Sequence, residues 1–290
     1  MMKISIIGSG VVGKATGIGF HKLGNDIIFN DVIREKLLVL KKQGYEVAKD
    51  QPEAIINSSI SFVCAQTPTL NGKMDFSYVK KAIVGIAKAL RKKRGYHLIV
   101  IRSTVLPATT STKIVPLLMK YSGLIPSKEF GVCVNPEFIR KASALSDFLN
   151  PSRILIGEID KRSGDVLEKL YSPFKASIVR TDLDTAEMIK YVTNTFLSTK
   201  ISFFNEFFII CKKLGLDPHF VAEAAALDPR IGKYGIHGGR PFEGSCLPKD
   251  LEALIDFCKE RELNPKLLDA VLYINNKMAR MRTSKGESYE

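Results

Sequence analysis

One cysteine stands apart from the other four. In GSCLPKD (244–250), Cys246 lies between small residues and a Pro-Lys-Asp run, whereas Cys64, Cys133, Cys211 and Cys258 sit in apolar runs and read as small hydrophobes. Pro248 suits the first turn of a helix, where its missing N–H costs nothing. A thiol just ahead of that turn feels the positive end of the helix macrodipole, which favours the thiolate and makes Cys246 a candidate nucleophile. Asp250 follows one turn on, placed to polarise a water or to orient a lysine. A first-turn carboxylate resting on the helix dipole is a compatible, plainer reading. Lys190 and Asn194, in EMIKYVTN (187–194), are four residues apart and share a helix face. An ammonium and an amide donor aimed at one point suit an alkoxide or a tetrahedral oxyanion.

A second constellation holds a ligand. GSGVVG (8–13) fits G-x-G-x-x-G, follows a strand-like run and opens a helix-like one. Its glycines allow a tight turn and close approach of backbone to a pyrophosphate, which then rests on a helix N-terminus. Asp31 falls 23 residues after Gly8, at the end of the next strand-like run, where a carboxylate accepts from a ribose 2′-OH and repels a 2′-phosphate. NAD is therefore expected over NADP, with Arg34 as a small counter-signal.

The elements that must position these residues alternate in the first half. KISIIG (3–8), NDIIFND (25–31), SFVCA (61–65), HLIVIRS (97–103), FGVCVNPE (130–137), RILIGE (153–158) and ASIVR (176–180) are short β-rich runs. Helical patterns lie between them, among them 77–95 with Val79, Ile83, Ile86 and Leu90 on one face. Such alternation predicts an α/β, Rossmann-like, doubly wound, mostly parallel sheet. After about residue 181 the strands stop: 182–215 is one long helical pattern, followed by helices over 217–227, 248–263 and 264–281, with a glycine-rich loop at 230–246. The expected organisation is a dinucleotide-binding domain over 1–181 and an all-helical domain with a long central helix over 182–290. The tail TSKGESYE is expected to fray.

Bulk properties narrow the class. Hydrophobic and charged fractions of 45% and 25% belong to a globular chain. The N-terminus lacks the order of a signal peptide, and the longest apolar stretch, 196–211, is interrupted by Lys200, Asn205 and Glu206. Five cysteines without C-x-x-C spacing suggest neither a disulfide framework nor a zinc site; no metal is expected, and the cytoplasm is the expected location. The net charge of +13 favours small phosphorylated ligands; basic residues interleaved with aromatics on one face, as nucleic acid requires, are not evident. Neither nucleic acid nor a membrane is an expected partner.

With QTPT (66–69), RSTV (102–105) and NPEF (135–138), these stretches closely resemble the UDP-glucose/GDP-mannose dehydrogenase family, in the family's order and over nearly the whole chain. The resemblance implies an NAD-dependent enzyme that oxidises a primary alcohol (C6 of a sugar on a nucleoside diphosphate) twice, to the carboxylate. Thiolate attack on the aldehyde gives a thiohemiacetal; loss of hydride gives a thioester, which water hydrolyses. By the same resemblance Cys246 is the nucleophile and Lys190 and Asn194 hold the oxyanion. Asp250 supports them, Glu137 serves the water steps and Thr104 lies near the reacting centre; a capping or turn role is the lesser alternative for Glu137 and Thr104. The cofactor set is Gly8, Gly10, Val11, Val12, Gly13, Asp31, Arg34, Thr67, Pro68, Thr104 and Lys249. The substrate set is Glu137, Phe138, Lys190, Asn194, Arg230, Phe242 and Gly244, with Arg230 supplied from the neighbouring subunit of a homodimer.

Three departures bear on substrate and activity. Lys141 stands where the family has a second glutamate after NPEF, and Glu243 makes the usual FGGSC into FEGSC. The third is that the family continues into a second Rossmann-like domain beyond this sequence, which a separate polypeptide could supply, a longer chain could contain or a smaller substrate could make unnecessary. Two other readings stay open: a two-electron 3-hydroxyacid dehydrogenase, which has no need of Cys246, and a non-catalytic partner that binds NAD or a nucleotide sugar.

Overall fold

Most apolar runs of the first half become strands buried on both faces, as a parallel sheet with helices on either side demands; the edge strand from 176–180 stays partly exposed. A computed structural model describes residues 2–283. It begins with Lys3–Ile7 (β1), Val11–Lys22 (α1), Asp26–Asn30 (β2), Arg34–Lys42 (α2), Glu46–Val47 (β3), Gln51–Ile56 (α3) and Ile60–Val63 (β4). Then come the short strands Thr69–Leu70 (β5) and Lys73–Met74 (β6), Ser77–Leu90 (α4), His97–Ile101 (β7), and a π-helical turn, Thr110–Ile114, that runs into Val115–Ser122 (α5). Phe130–Val134 (β8), Ala144–Leu149 (α6), Arg153–Glu158 (β9), Lys161–Tyr171 (α7) and Ser177–Asp182 (β10) complete the strand-bearing half. Beyond it lie Leu183–Leu214 (α8), Pro218–Ala225 (α9), Leu247–Lys259 (α10) and Lys266–Thr283 (α11). Of the tail expected to fray, all but Thr283 lies outside the described residues.

The eight-stranded sheet has the order β10-β9-β8-β7-β4-β1-β2-β3. All its pairings are parallel except β8 with β9, where Val134 faces Gly157 antiparallel. The chain winds from β1 to β2 on one side and returns to β4 on the other, so β1 and β4 flank a topological switch point, where α/β sheets bind ligands. Phe20 anchors the core under this region, with its ring 5.3 Å from that of Phe62, 5.0 Å from Phe148 and 5.2 Å from Tyr171. A chain of hydrogen bonds links the polar residues inside the sheet: Ser58 donates to Ser5 (3.0 Å), Ser5 meets Ser61 (2.6 Å), and Ser61 meets His97 Nε2 (2.7 Å). Burial holds His97 down to about 3, so the imidazole is neutral.

The chain divides into two compact units: Met1–Thr67 with Asp75–Lys190, and Pro68–Met74 with the chain from Tyr191 onward. The division falls inside α8, directly after Lys190. In the second unit Phe242, Leu251, Ile255 and Val271 form a small core around α10 and α11. Absent from the expectations is the hairpin β5–β6, which clusters with this otherwise helical unit. Its turn is Asn71-Gly72 with both φ angles positive, 51° and 82°, the pair that closes a two-residue hairpin.

Candidate active site

The three glycines of the β1–α1 turn are held for three different reasons. Gly8 has φ +100°, and a Cβ there would stand 2.8 Å from the Cys64 carbonyl oxygen just beyond β4. A Cβ on Gly13 would overlap the Gly8 carbonyl oxygen at 1.9 Å, so only glycine lets α1 pack this close to the turn. At Gly10 a Cβ would meet nothing within 4 Å; the open space lies over the first turn of α1, whose cap residue offers no side-chain acceptor. The amides of that turn are free for an anion, and the vacant surface at Gly10 fits a pyrophosphate.

Asp31 directly follows β2 with its carboxylate fixed: Oδ2 accepts from the Ser9 amide (2.6 Å) and Oδ1 from the Ile33 amide (2.9 Å), with Lys36 Nζ 3.6 Å away. Arg34, Val11 and Val12 border this turn from the first residues of α2 and α1, with Arg34 and Val11 exposed. Thr67 is buried and donates to the Thr104 carbonyl (2.8 Å), while Ser103 donates to the Ala65 carbonyl (2.6 Å); QTPT and RSTV are thus stitched together at the ends of neighbouring strands. Pro68, the next residue, belongs to the second unit.

Within the first unit a second group forms around the end of β8. Lys190 is buried and donates to the Glu137 carbonyl (2.5 Å) and carboxylate (3.3 Å). The other carboxylate oxygen of Glu137 accepts from the Ile139 amide (2.6 Å), so the acid is locked in its own turn. Phe138 carries two cations on its ring, Arg153 at 3.9 Å and Lys190 at 5.2 Å. Beneath them the buried Arg102 guanidinium donates to both oxygens of Asn135 and to Tyr171 (3.2 Å), and the Asn135 amide donates to the Leu155 carbonyl (2.7 Å). Glu187, also buried, accepts from the amides of Thr109 (3.1 Å) and Thr110 (2.9 Å) at the start of the π-helical turn. Burial raises its carboxyl to about 7. Arg102, Asn135 and Glu187 lie inside motifs read from the sequence, yet none was assigned a role there. For Arg102 and Asn135 the signal was present: a charged and an amide side chain directly after runs that fold as fully buried strands; Glu187, in the first turns of α8, carried no such mark.

In the second unit Cys246 is the residue immediately before α10, with Pro248 in the first turn as read from the sequence. Of the five cysteines it alone is exposed. Burial pushes the Cys64 thiol up to about 12 and raises Cys133 and Cys258 as well, so these three are held as neutral thiols. Asp250 donates its amide to the Cys246 carbonyl (2.9 Å) and is 1% exposed. Its carboxylate accepts from Asn194 Nδ2 (2.6 Å) and Lys249 Nζ (2.5 Å), and the Lys249 carbonyl accepts from Thr69 of the hairpin (3.1 Å). The carboxylate therefore orients Asn194 and Lys249, while Lys190, one turn earlier on α8, is oriented by Glu137.

The remaining residues expected to bind substrate are set differently. Phe242 is buried, its amide donating to Asn275 (2.8 Å), and Gly244 adopts φ +91° with open space where a Cβ would be. Glu243 accepts from Arg282 (3.1 Å). Arg230 is exposed and clamped to Asp228 of its own chain by contacts of 2.6–3.1 Å. Lys141 opens an exposed 3₁₀ turn, Lys141–Ser143, ahead of α6. Among the described residues no cluster of histidine, cysteine, aspartate or glutamate could hold a metal, and no helix is long and apolar enough to cross a membrane.

A glycine turn at a sheet switch point, followed along the chain by a helical segment, is the arrangement of a dinucleotide-binding domain with a helical companion. Residues 37–175 match the NAD binding domain of the UDP-glucose/GDP-mannose dehydrogenase family and residues 184–277 match its central domain; the chain belongs to this family, and its cofactor is NAD. It is 36% identical over 298 residues to the UDP-glucose 6-dehydrogenase TuaD of Bacillus subtilis, covering 96% of this chain and 63% of that protein. It is 34% identical to the GDP-mannose 6-dehydrogenase of Pseudomonas aeruginosa, covering 95% of this chain and 68% of the relative. The solved UDP-glucose dehydrogenase from Pyrobaculum islandicum superposes with a TM-score of 0.91 at 33% identity, over 99% of this chain and 72% of that one. The chain thus spans about two thirds of the length of the relatives it matches.

Proposed function

We propose that this chain carries the NAD-dependent, four-electron oxidation of a nucleotide-sugar primary alcohol to the uronic acid, with Cys246 as the nucleophile. In this reading residues 1–181 hold the cofactor and 182–290 carry the thiol. The observation that supports it most is the contrast among the cysteines: the one exposed thiol stands at the mouth of a helix whose next turn bears a buried carboxylate fixing an amide donor, Asn194.

Gly8, Gly10, Gly13 and Asp31 would hold NAD, which would supply the hydride acceptor for each of two oxidations. Lys190 and Asn194 stabilise the developing oxyanion, and their partners Glu137 and Asp250 hold them ready for it. Cys246 sulfur bonds to the aldehyde carbon, giving a thiohemiacetal; after the second hydride leaves, a thioester remains. Water, deprotonated with the help of Glu137, adds to the thioester carbon, the C–S bond breaks, and the carboxylate departs as the thiol is restored. The sum is one alcohol, one water and two NAD converted to one carboxylate, two NADH and three protons. A homodimer in which Arg230 reaches the partner's nucleotide, and a cytoplasmic setting for the five free thiols, complete the proposal.

NADH formation by the chain against a panel of UDP- and GDP-sugars and simple sugar phosphates tests it. Two NADH per substrate are expected, and Cys246→Ser is expected to slow acid formation about a thousandfold or more while leaving NAD affinity unchanged. One NADH per substrate, insensitive to that substitution, would favour the two-electron reading. Silence of the chain alone with turnover on adding a second polypeptide would assign it the role of a partner.

A further inference from the structure

From Phe76 to Lys128 the sequence has eleven lysines and arginines and no aspartate or glutamate, so this stretch carries most of the net charge of +13. Two of the eleven are spoken for. Arg102 is buried against Asn135 and Tyr171, and Lys93 turns inward to the carbonyls of Ile55, Ile56 and Ser58, closing the C-terminal end of α3. The other nine are exposed, and among the described residues none of them has a carboxylate at ion-pair distance. Unscreened like charges on one layer repel one another and concentrate anions above it.

Three of the nine converge. Lys80 of α4 with Lys113 and Lys120, from the π-helical turn and α5, line an open groove of about 360 Å3 together with Phe76, Pro116 and Leu117. The volume is that of a small-molecule site, which typically spans roughly 300–1,000 Å3. Lysine ammoniums are mobile point charges that suit phosphate, and Phe76, Pro116 and Leu117 supply an apolar surface on which a flat ring can lie. A nucleic acid or an acidic membrane would feel the same field but has no use for a small concavity with that apolar lining. The glycine turn and the thiol are built from other elements, and neither uses these side chains.

We propose that the α4–α5 groove is a second, non-catalytic site for a nucleoside di- or triphosphate, with Lys80, Lys113 and Lys120 on the phosphates and Phe76, Pro116 and Leu117 under the base. The test titrates the protein, saturated with NAD, with inorganic triphosphate at low ionic strength by calorimetry. A variant carrying Lys80→Gln, Lys113→Gln and Lys120→Gln is expected to lose about tenfold or more in affinity. A control that removes the same charge elsewhere, Lys22→Gln, Lys41→Gln and Lys42→Gln, is expected to lose less than about twofold. ATP is expected to bind more tightly than inorganic triphosphate, and Phe76→Ala to erase that difference. In the unaltered protein triphosphate is expected to slow hydrogen exchange over 76–80 and 113–120, a readout independent of how the variants fold. Equal losses in both triple variants, no protection over those segments, or binding of duplex DNA or anionic vesicles without binding of triphosphate would each overturn the proposal.

Discussion

At the scale of single residues, the same amino acid is required at Gly8, Gly10 and Gly13 on different grounds, and the difference is measurable. Gly10 has an ordinary extended backbone (φ −70°) and open space where a Cβ would stand, so the fold makes no demand on it. Gly10→Ala is expected to leave the melting temperature within about a degree or two and to weaken NAD binding at least about tenfold, because the methyl group occupies pyrophosphate space. Gly13→Ala puts a methyl 1.9 Å from a backbone oxygen and is expected to destabilise the first unit by about 2–4 kcal/mol. Thermal unfolding and NAD titration of the two variants separate these effects; a Gly10→Ala protein that binds NAD as before would remove the turn from the cofactor site. The motif itself was legible because its residues are contiguous. The partnerships of Lys190 with Glu137 and Asn194 with Asp250 were not, since each joins positions more than fifty apart in sequence. Helix spacing put Lys190 and Asn194 on one face without revealing that separate carboxylates hold them.

At the scale of elements, α8 does more than present a lysine and an asparagine. Its Glu187 accepts the amides of Thr109 and Thr110, tying the helix to the end of the RSTV loop and the start of the π-helical turn. Burial raises this carboxyl from its usual 4.5 to about 7, so between those values the folded chain holds a proton that the unfolded chain has released. Stability is expected to fall as pH rises through that window and to level off above it, by on the order of 3 kcal/mol at most. Glu187→Gln removes the titration and is expected to flatten that part of the profile, at a cost of about 1–2 kcal/mol at every pH for the lost acceptor. Denaturant midpoints at pH 5 and pH 7.5 for both proteins decide it; parallel falls would clear Glu187 of the effect. Among the strands, those read from the sequence are the ones with continuous apolar runs. The reversal at β9 and β10 was not readable, because β9 is buried on both faces and such a strand has the same composition in either direction, and β10 follows it in parallel. The hairpin at Thr69–Met74 did carry its Asn-Gly signal, but strands of two residues show no period to accompany it.

At the scale of the whole molecule, the unsatisfied surface is apolar and lies along α8. Val192, Phe196, Phe203, Phe207, Ile210 and Leu214 are exposed at steps of three, four and seven, which place them on one stripe. Phe196 is 64% and Phe203 54% exposed, and the Phe203 and Phe207 rings lie 4.8 Å apart, a cluster left open among the described residues. A stripe of this length invites an isologous partner, in which the same helix of a second copy covers it. Each phenylalanine buried there contributes about 1.5–3 kcal/mol, so Phe196→Glu with Phe203→Glu is expected to weaken a dimer by about a hundredfold or more. Sedimentation of the double variant at micromolar concentration is expected to show monomer, with helix content unchanged because both side chains point to solvent in the single chain. The same variant tests the proposed role of Arg230: bound to Asp228 of its own chain, this arginine serves a substrate only if the dimer draws it across. A monomeric variant is therefore expected to lose nucleotide-sugar affinity while keeping NAD affinity. An unaltered protein that sediments as monomer, or a monomeric variant with full substrate affinity, would place the phosphate partner elsewhere in the chain.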